Sequence, residues 1–558
     1  MGLMKEKNNT NMERKKRAKI LLVSFNSGWH DDVWNVLSIE SLLGDLEGYF
    51  GEKVEIETTR LRDLRNIDET IFLMVSNKYD FIGFSLDIGS QDLFLILLGK
   101  MRENSIESEL VCGGILATYA NDYLLEQKEF NYFHPMIVVG EGEIAWRNII
   151  KRYMSNEMYF NIPNTWTYDK KNGTYIVGEP ETVDLNELIY PPARITYFNQ
   201  KHKVHTLQTS RNCISQCSYC SEGPGKRWRS FPLERIRKDM EDLVKLGVNE
   251  FEFVDDEFFG GMTTYYIDRG WKIAETLYDI EVRYNVKIKF RIFTNPFIIC
   301  SRAVGTNGKG FYELLSYMKQ VGLCRVYLGV ESGSIEQRKR YKRIETLEQC
   351  SDAMKMLRQL GIMVDAGFIM FDPEVQLEDV KNNISFIRNN NFLQYNTWPL
   401  RPMILTSGTP MYYRVIELGL LMERDEANPA SFHYKYQNES VELLYSLVKN
   451  IADQTGKVFY ILKYFYKSFF YEVKHKKTLD KVYWYLMKNA EINMNYMDDM
   501  INEFVQTNEI IESTRSVKQQ LLELLEDIKT NILMFNCFEY STRFLIKSIE
   551  EACSQLQK

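Results

Sequence analysis

The sequence predicts an α/β protein: a doubly wound parallel sheet, then a second strand-and-helix series that forms a partial parallel barrel, then a helical end. Three observations predict this. From Lys19 onward, short apolar runs ending in small or polar residues alternate with segments of helical spacing. A second alternating series starts near Val204, and after about Tyr434 the period becomes purely helical.

The elements follow in order. Residues 1–17 are polar and basic without an apolar core, which reads as a solvated tail rather than a signal peptide. Residues 18–155 carry the first domain: "KILLVSF" from Lys19, "KVEIETTRL", "DFIGFSL" from Asp80, "SELVCGG" and "PMIVVGEGE", with helical segments between them. Strands that finish on glycine or serine place a ligand across their carboxyl ends. Residues 156–202 read as a connector in which Pro163, Gly173, Pro180 and the Pro191-Pro192 pair punctuate weak strands. Residues 203–434 hold about six strand and helix units, from "VHTLQTS" to "QYNTWPLRPMI", which implies a partial parallel barrel. Residues 435–558 form the helical end, with leucine spacing in "VKQQLLELLEDIKTNILMF".

Composition narrows the function classes. With 558 residues, 45% hydrophobic and 26% charged, the chain is long enough for two or three cores. Its net charge of -7 argues against a nucleic-acid footprint and for a small or neutral substrate. No apolar run reaches the roughly 20 residues that span a bilayer, so the reading is a cytoplasmic protein that touches no membrane. The nine cysteines are then thiols or metal ligands rather than disulfides.

The stretch "RNCISQCSYC" concentrates the chemistry. Cys213, Cys217 and Cys220 fall within eight residues, directly after the first strand of the second series, where catalytic loops of such barrels emerge. A structural zinc site wants a fourth ligand, and the next cysteines, Cys300 and Cys324, are far along the chain. A [4Fe-4S] cubane on three thiolates leaves one iron open to bind substrate or cofactor, so the missing ligand fits a catalytic cluster better than zinc.

The C-x3-C-x2-C spacing with Tyr219 before the last cysteine resembles the cluster loop of the radical S-adenosylmethionine (SAM) superfamily. That resemblance implies a partial (β/α)6 barrel, SAM chelated at the open iron, and reductive SAM cleavage to a radical that abstracts hydrogen. It also implies SAM contacts for Tyr219, for Asp256 and Glu257 in "FVDDEFFG", and for Glu331 and Ser332 in "LGVESGS". Asp255-Asp256 stands where many members have a glycine pair.

The first domain resembles the cobalamin-binding domain of one branch of these enzymes, through "DFIGFSL", "VCGG" and "VVGEGE" in that order. It implies cobalamin contacts at Ser85, Gly113, Gly114, Gly140, Glu141 and Gly142. His30 in "GWHDDV" matches the position of a lower-axial histidine, but Gly28 and Val33 replace the motif's Asp and Gly, so His30 is read first as an ordinary loop residue. The implied activity is a cobalamin-dependent radical SAM methyltransferase acting on an unactivated carbon of a natural product or peptide, served by an electron donor such as flavodoxin or ferredoxin. Two alternatives stand beside it: oxidation or ring rearrangement without methyl transfer, and a non-catalytic cofactor-binding regulator.

Overall fold

The computed structural model describes residues 17–25, 37–61, 63–189, 204–394, 396, 399–469, 476–503, 510–531 and 539–557. The tail before Arg17 and the loop with His30 lie outside them.

The first sheet has seven strands in the order β2-β1-β3-β4-β5-β6-β7. β1 (Ala18–Phe25), β2 (Val54–Leu61), β3 (Phe81–Ser85), β4 (Glu109–Gly113) and β5 (Met136–Val138) run parallel. The near-continuous apolar runs of β1, β3, β4 and β5 reflect cover on both faces, whereas the edge strand β2 alternates. One face packs Phe84 against Phe94 and Leu97; the other packs Phe81 against Trp146 and Ile149. The strand order turns back between β1 and β3, which opens a crevice at the carboxyl edge. β6 (Thr165–Asp169) and β7 (Thr174–Val177) lie in the segment expected to be a connector and extend this sheet antiparallel. Gly173, at φ +69°, makes their tight turn, its N–H donating to the Asp169 carbonyl at 2.8 Å.

The second sheet is all parallel, in the order β14-β13-β12-β11-β8. Its strands are β8 (Val204–Leu207), β11 (Glu250–Phe253), β12 (Lys289–Thr294), β13 (Leu323–Glu331) and β14 (Met363–Phe368). Between β8 and β11, the short antiparallel pair β9 (Ser210–Arg211) and β10 (Arg229–Ser230) closes the cysteine loop at its base. Of the six strands expected, five form ladders among the described residues. The sixth place holds one parallel bridge, Phe371 to Pro402. Pro399 and Pro402 supply no backbone N–H there, so a regular ladder cannot continue.

A three-stranded antiparallel sheet not expected from the sequence follows: β15 (Leu405–Thr406), β16 (Leu421–Arg424) and β17 (Ser431–Tyr434). The end of the chain is helical, as expected, over Glu439–Phe469, Lys476–Glu503, Ile510–Thr530 and Glu539–Gln557. These helices do not close a core of their own: Val482, Tyr485 and Leu525 belong to the same buried cluster as Ile384 and Phe386 of the barrel. Arg388 reaches Asp498 at 2.6 Å along that contact. No described helix is long and apolar enough to cross a membrane.

Candidate cofactor site between sheet and barrel

The cysteine loop is anchored below by buried polar groups. Asp255 accepts from the Thr209 N–H and hydroxyl at 2.9 and 2.8 Å and from the Ser210 hydroxyl at 2.6 Å. Arg269 donates to the carbonyls of Thr209 and Phe258 at 2.8 and 2.7 Å. Above this base Cys213 and Cys217 are buried and Cys220 is half-buried. Each sulfur receives a donor. The Ser215 N–H reaches Cys213 at 3.4 Å, the Arg343 guanidinium reaches Cys217 at 3.2 Å, and the Glu222 N–H reaches Cys220 at 3.3 Å. Burial pushes the Cys213 thiol up to about 12 and the Cys220 thiol to about 11. Losing those protons therefore requires a cation at the sulfurs, and N–H donors on all three suit thiolates that share a cluster's charge. Among the described residues no three His, Cys, Asp or Glu side chains are placed to hold one metal ion. Cubane thiolates each bind a different iron and so need not converge on one point.

A second layer holds the loop from behind. Glu257 is fully buried; its carboxylate accepts from Thr294 at 2.8 Å, from Asn295 at 2.6 Å and from the Phe259 N–H at 3.2 Å. Burial raises it to about 7. Asn295 faces the Cys213 sulfur at 3.9 Å and accepts from Arg343 at 3.0 Å. Arg343 also donates to the Gly329 carbonyl at 2.6 Å. Glu257, expected at SAM, thus has both oxygens engaged and stands as a support of Asn295. Ser332, also expected at SAM, is fully buried, and its hydroxyl is engaged with Gln337 at 2.6 Å, Asn383 at 3.0 Å and the Ser334 N–H at 2.9 Å. It fastens the end of β13 to the helix Leu377–Asn389.

Glu331 is placed differently. The β13/β14 ladder shifts register between Gly329 and Glu331, and Glu331 has φ +68°, a left-handed conformation rare for a residue with a side chain. Its carboxylate fills space left by two glycines: a Cβ on Gly329 or Gly367 would come within 3.0 or 2.9 Å of it. Burial raises this carboxyl against the pull of Arg343. Tyr219 packs edge-on against Tyr341, ring centroids 5.1 Å apart. Asp256 is exposed and its carboxyl opens onto the cavity described next.

That cavity, about 610 Å3, lies between the carboxyl edge of the first sheet and the barrel. Ser85, Gly113, Gly114, Gly140, Glu141 and Gly142 all line it. Gly114 has φ +94°, and a Cβ there would meet the Leu86 carbonyl at 2.6 Å, so glycine is required by the backbone. The Ser85 hydroxyl meets Ser38 at 2.8 Å. Glu141 bonds Arg229 at 2.7 Å and Arg211 at 3.2 Å, which makes it a contact between the domains. Residues the sequence reading passed over share this wall: Tyr119, His205, Arg211, Glu222 and Lys226. Of these, Arg211 and Glu222 carried a signal, since both flank the cysteines in sequence.

The radical SAM superfamily model matches residues 207–387, spanning the cysteine loop, Glu331 and β14. The chain carries a radical SAM domain. Beyond that domain, 4'-phospho-dehydrooxetanocin synthase of Priestia megaterium is 26% identical over 368 residues, 63% of this chain and 48% of that one. This chain spans about half the length of the curated relatives it first matches. The cobalamin-dependent radical enzyme OxsB, solved with aqua-cobalamin and SAM, superposes with a TM-score of 0.78 at 19% identity, covering 97% of this chain and 84% of OxsB. The radical SAM methyltransferase TsrM of Kitasatospora setae, solved with cobalamin and a [4Fe-4S] cluster, gives 0.54 at 15% identity over 72% and 75% of the two chains. At these identities the likeness is one of fold.

Proposed function

We propose that this chain is a cobalamin-dependent radical SAM enzyme that methylates an unactivated carbon of a small natural product or peptide. One observation carries the reading: three thiols, each with an N–H donor, stand beside a glycine-walled cavity at the carboxyl edge of a doubly wound sheet. When bound, the cluster supplies an electron to SAM and the corrinoid supplies the methyl group. Cys213, Cys217 and Cys220 would hold the cluster, with Arg343 and Asn295 steadying the sulfurs. Glu331, seated in the space left by Gly329 and Gly367, would bind the SAM ammonium; Asp256 would face ligand from the cavity wall. Ser85, Gly113, Gly114, Gly140 and Gly142 give a large flat ligand close approach to backbone. Hydrogen abstraction needs no general base at the reacting carbon. The enzyme would work in the cytoplasm with a flavodoxin- or ferredoxin-type donor.

A second reading has its own observation. The relative aligned over 63% of this chain is named as the synthase of a dehydro compound, 4'-phospho-dehydrooxetanocin. That name favours an oxidation or ring rearrangement without methyl transfer, with the corrinoid in an electron-transfer role. Both readings share one test. Anaerobically reconstituted protein should hold iron, sulfide and one corrinoid, and under strong reductant should cleave SAM to 5'-deoxyadenosine. Protein that holds the cofactors and never cleaves SAM would leave the non-catalytic alternative.

A further inference from the structure

The cysteine loop is gripped at both ends by the walls of the glycine cavity. Upstream, Arg211 stands two residues before Cys213. Its guanidinium donates to Glu143 at 2.6 and 3.3 Å and pairs with Glu141 at 3.2 Å. Arg229, paired with Arg211 across the β9/β10 ladder, donates to Glu141 at 2.7 and 3.0 Å and to the Asn212 side chain at 2.7 Å. Downstream, Glu222 gives its peptide N–H to the Cys220 sulfur at 3.3 Å. Its carboxylate accepts from the Tyr119 hydroxyl at 2.9 Å and from Lys226 at 2.8 Å. The first-domain partners are the cavity glycines' own neighbours. Glu141 and Glu143 bracket Gly142, and Tyr119 ends the short helix Ile115–Tyr119 that Gly114 opens.

We propose that Arg211, Tyr119 and Glu222 are positioning residues through which a corrinoid filling the cavity changes the hydrogen bonds at the cysteine sulfurs, and with them the potential of the cluster. The inference rests on the cofactor reading above. Cluster potentials depend on N–H···S bonds and on exposure of the sulfurs. The Glu222 N–H is one such bond, and the same residue's carboxylate is tied to Tyr119. A ligand seated on Gly113 and Gly114 acts on the segment that carries Tyr119; one seated on Gly140 and Gly142 acts on the segment that carries Glu141 and Glu143. The upstream pairs are largely buried, with Arg211 12% and Glu143 5% exposed, so salt screens them little. If these contacts only glue the domains together, removing them lowers stability and leaves the cluster's response to corrinoid unchanged.

The experiment compares full-length reconstituted wild type, Tyr119→Phe, Arg211→Lys and Arg211→Ala. The midpoint potential and the reduced-cluster paramagnetic spectrum are recorded with and without hydroxocobalamin, with iron and corrinoid assayed on each sample. Wild type should show a corrinoid-dependent shift in both. Tyr119→Phe, which deletes one hydroxyl, should keep full iron and corrinoid but less than half of that shift. Arg211→Lys should retain more of it than Arg211→Ala; if Arg211→Ala does not fold, Tyr119→Phe decides. A wild-type potential indifferent to hydroxocobalamin, or a Tyr119→Phe response equal to wild type, overturns the inference. Wild type lacking iron or corrinoid overturns the cofactor reading itself and this inference with it.

Discussion

Glu331 sits at φ +68° beside a register shift, and backbone strain of this kind costs about 1–3 kcal/mol where a non-glycine residue bears it. A carboxylate kept at that cost, in space cleared by Gly329 and Gly367, fits the proposed contact to SAM. Glu331→Gly should therefore melt at a higher temperature than wild type without SAM, yet bind SAM weakly. Losing a charged hydrogen bond of about 1.5–3 kcal/mol corresponds to roughly a ten- to hundred-fold rise in the SAM dissociation constant. Calorimetric titration beside a thermal melt checks both, and unchanged SAM affinity would remove Glu331 from the site. At the cysteines the expectation is simpler: Cys217→Ala should lose most of its iron, while Cys350→Ala, buried far along the chain, should keep it. The thiols were legible because all three lie in one short loop. Arg343 and Asn295 were not, because they reach the same sulfurs from 126 and 82 residues away.

Among elements, β1, β3, β4 and β5 were legible because both faces are buried, which writes continuous apolar runs into the sequence, and the edge strand β2 was legible from its alternation. β6 and β7 were legible only as weak strands of a connector, not as part of the sheet, because Pro163, Gly173 and Pro180 punctuate a hairpin as they would a connector. The sixth barrel strand was legible from its apolar residues; among the described residues it is one parallel bridge, Phe371 to Pro402, because its prolines supply no N–H to extend a ladder. The same local logic yields two tests of the contact between domains. Gly114→Ala forces a side chain onto the Leu86 carbonyl at a positive φ; it should destabilise by about 1–3 kcal/mol in urea unfolding and release corrinoid. Glu143 gives a pH dependence. Burial alone would raise it, but the charge and hydrogen bonds of Arg211 and the Ser41 hydroxyl hold it at about 2 rather than 4.5. A depressed carboxyl contributes its stability in full above its unfolded value and loses it as pH falls toward 2. Wild type should thus lose more stability between pH 5 and pH 3 than Glu143→Gln, read as roughly a larger drop in urea midpoint. Equal slopes would mean that the pair contributes nothing at this interface.

Across the whole molecule, the helical end shares one buried cluster with the barrel, and the barrel is tied to the sheet on both sides of the cysteine loop. The parts proposed to bind cluster, SAM and corrinoid are therefore held as one unit, and on that reading the stoichiometry of SAM use becomes a property of the assembled chain. Methyl transfer through the corrinoid consumes SAM twice per turnover, once to remethylate the corrinoid and once to generate the radical. With strong reductant and a competent substrate, 5'-deoxyadenosine and S-adenosylhomocysteine should then appear in nearly equal amounts, with a product heavier by one methylene. An oxidative rearrangement uses SAM only for the radical, so it would give 5'-deoxyadenosine without S-adenosylhomocysteine and a product lighter by hydrogens. Cys217→Ala should abolish 5'-deoxyadenosine under either reading. Chromatographic quantitation of the two nucleosides beside the mass of the product separates them, and S-adenosylhomocysteine without any 5'-deoxyadenosine would contradict both, since it would mean methyl transfer without a radical.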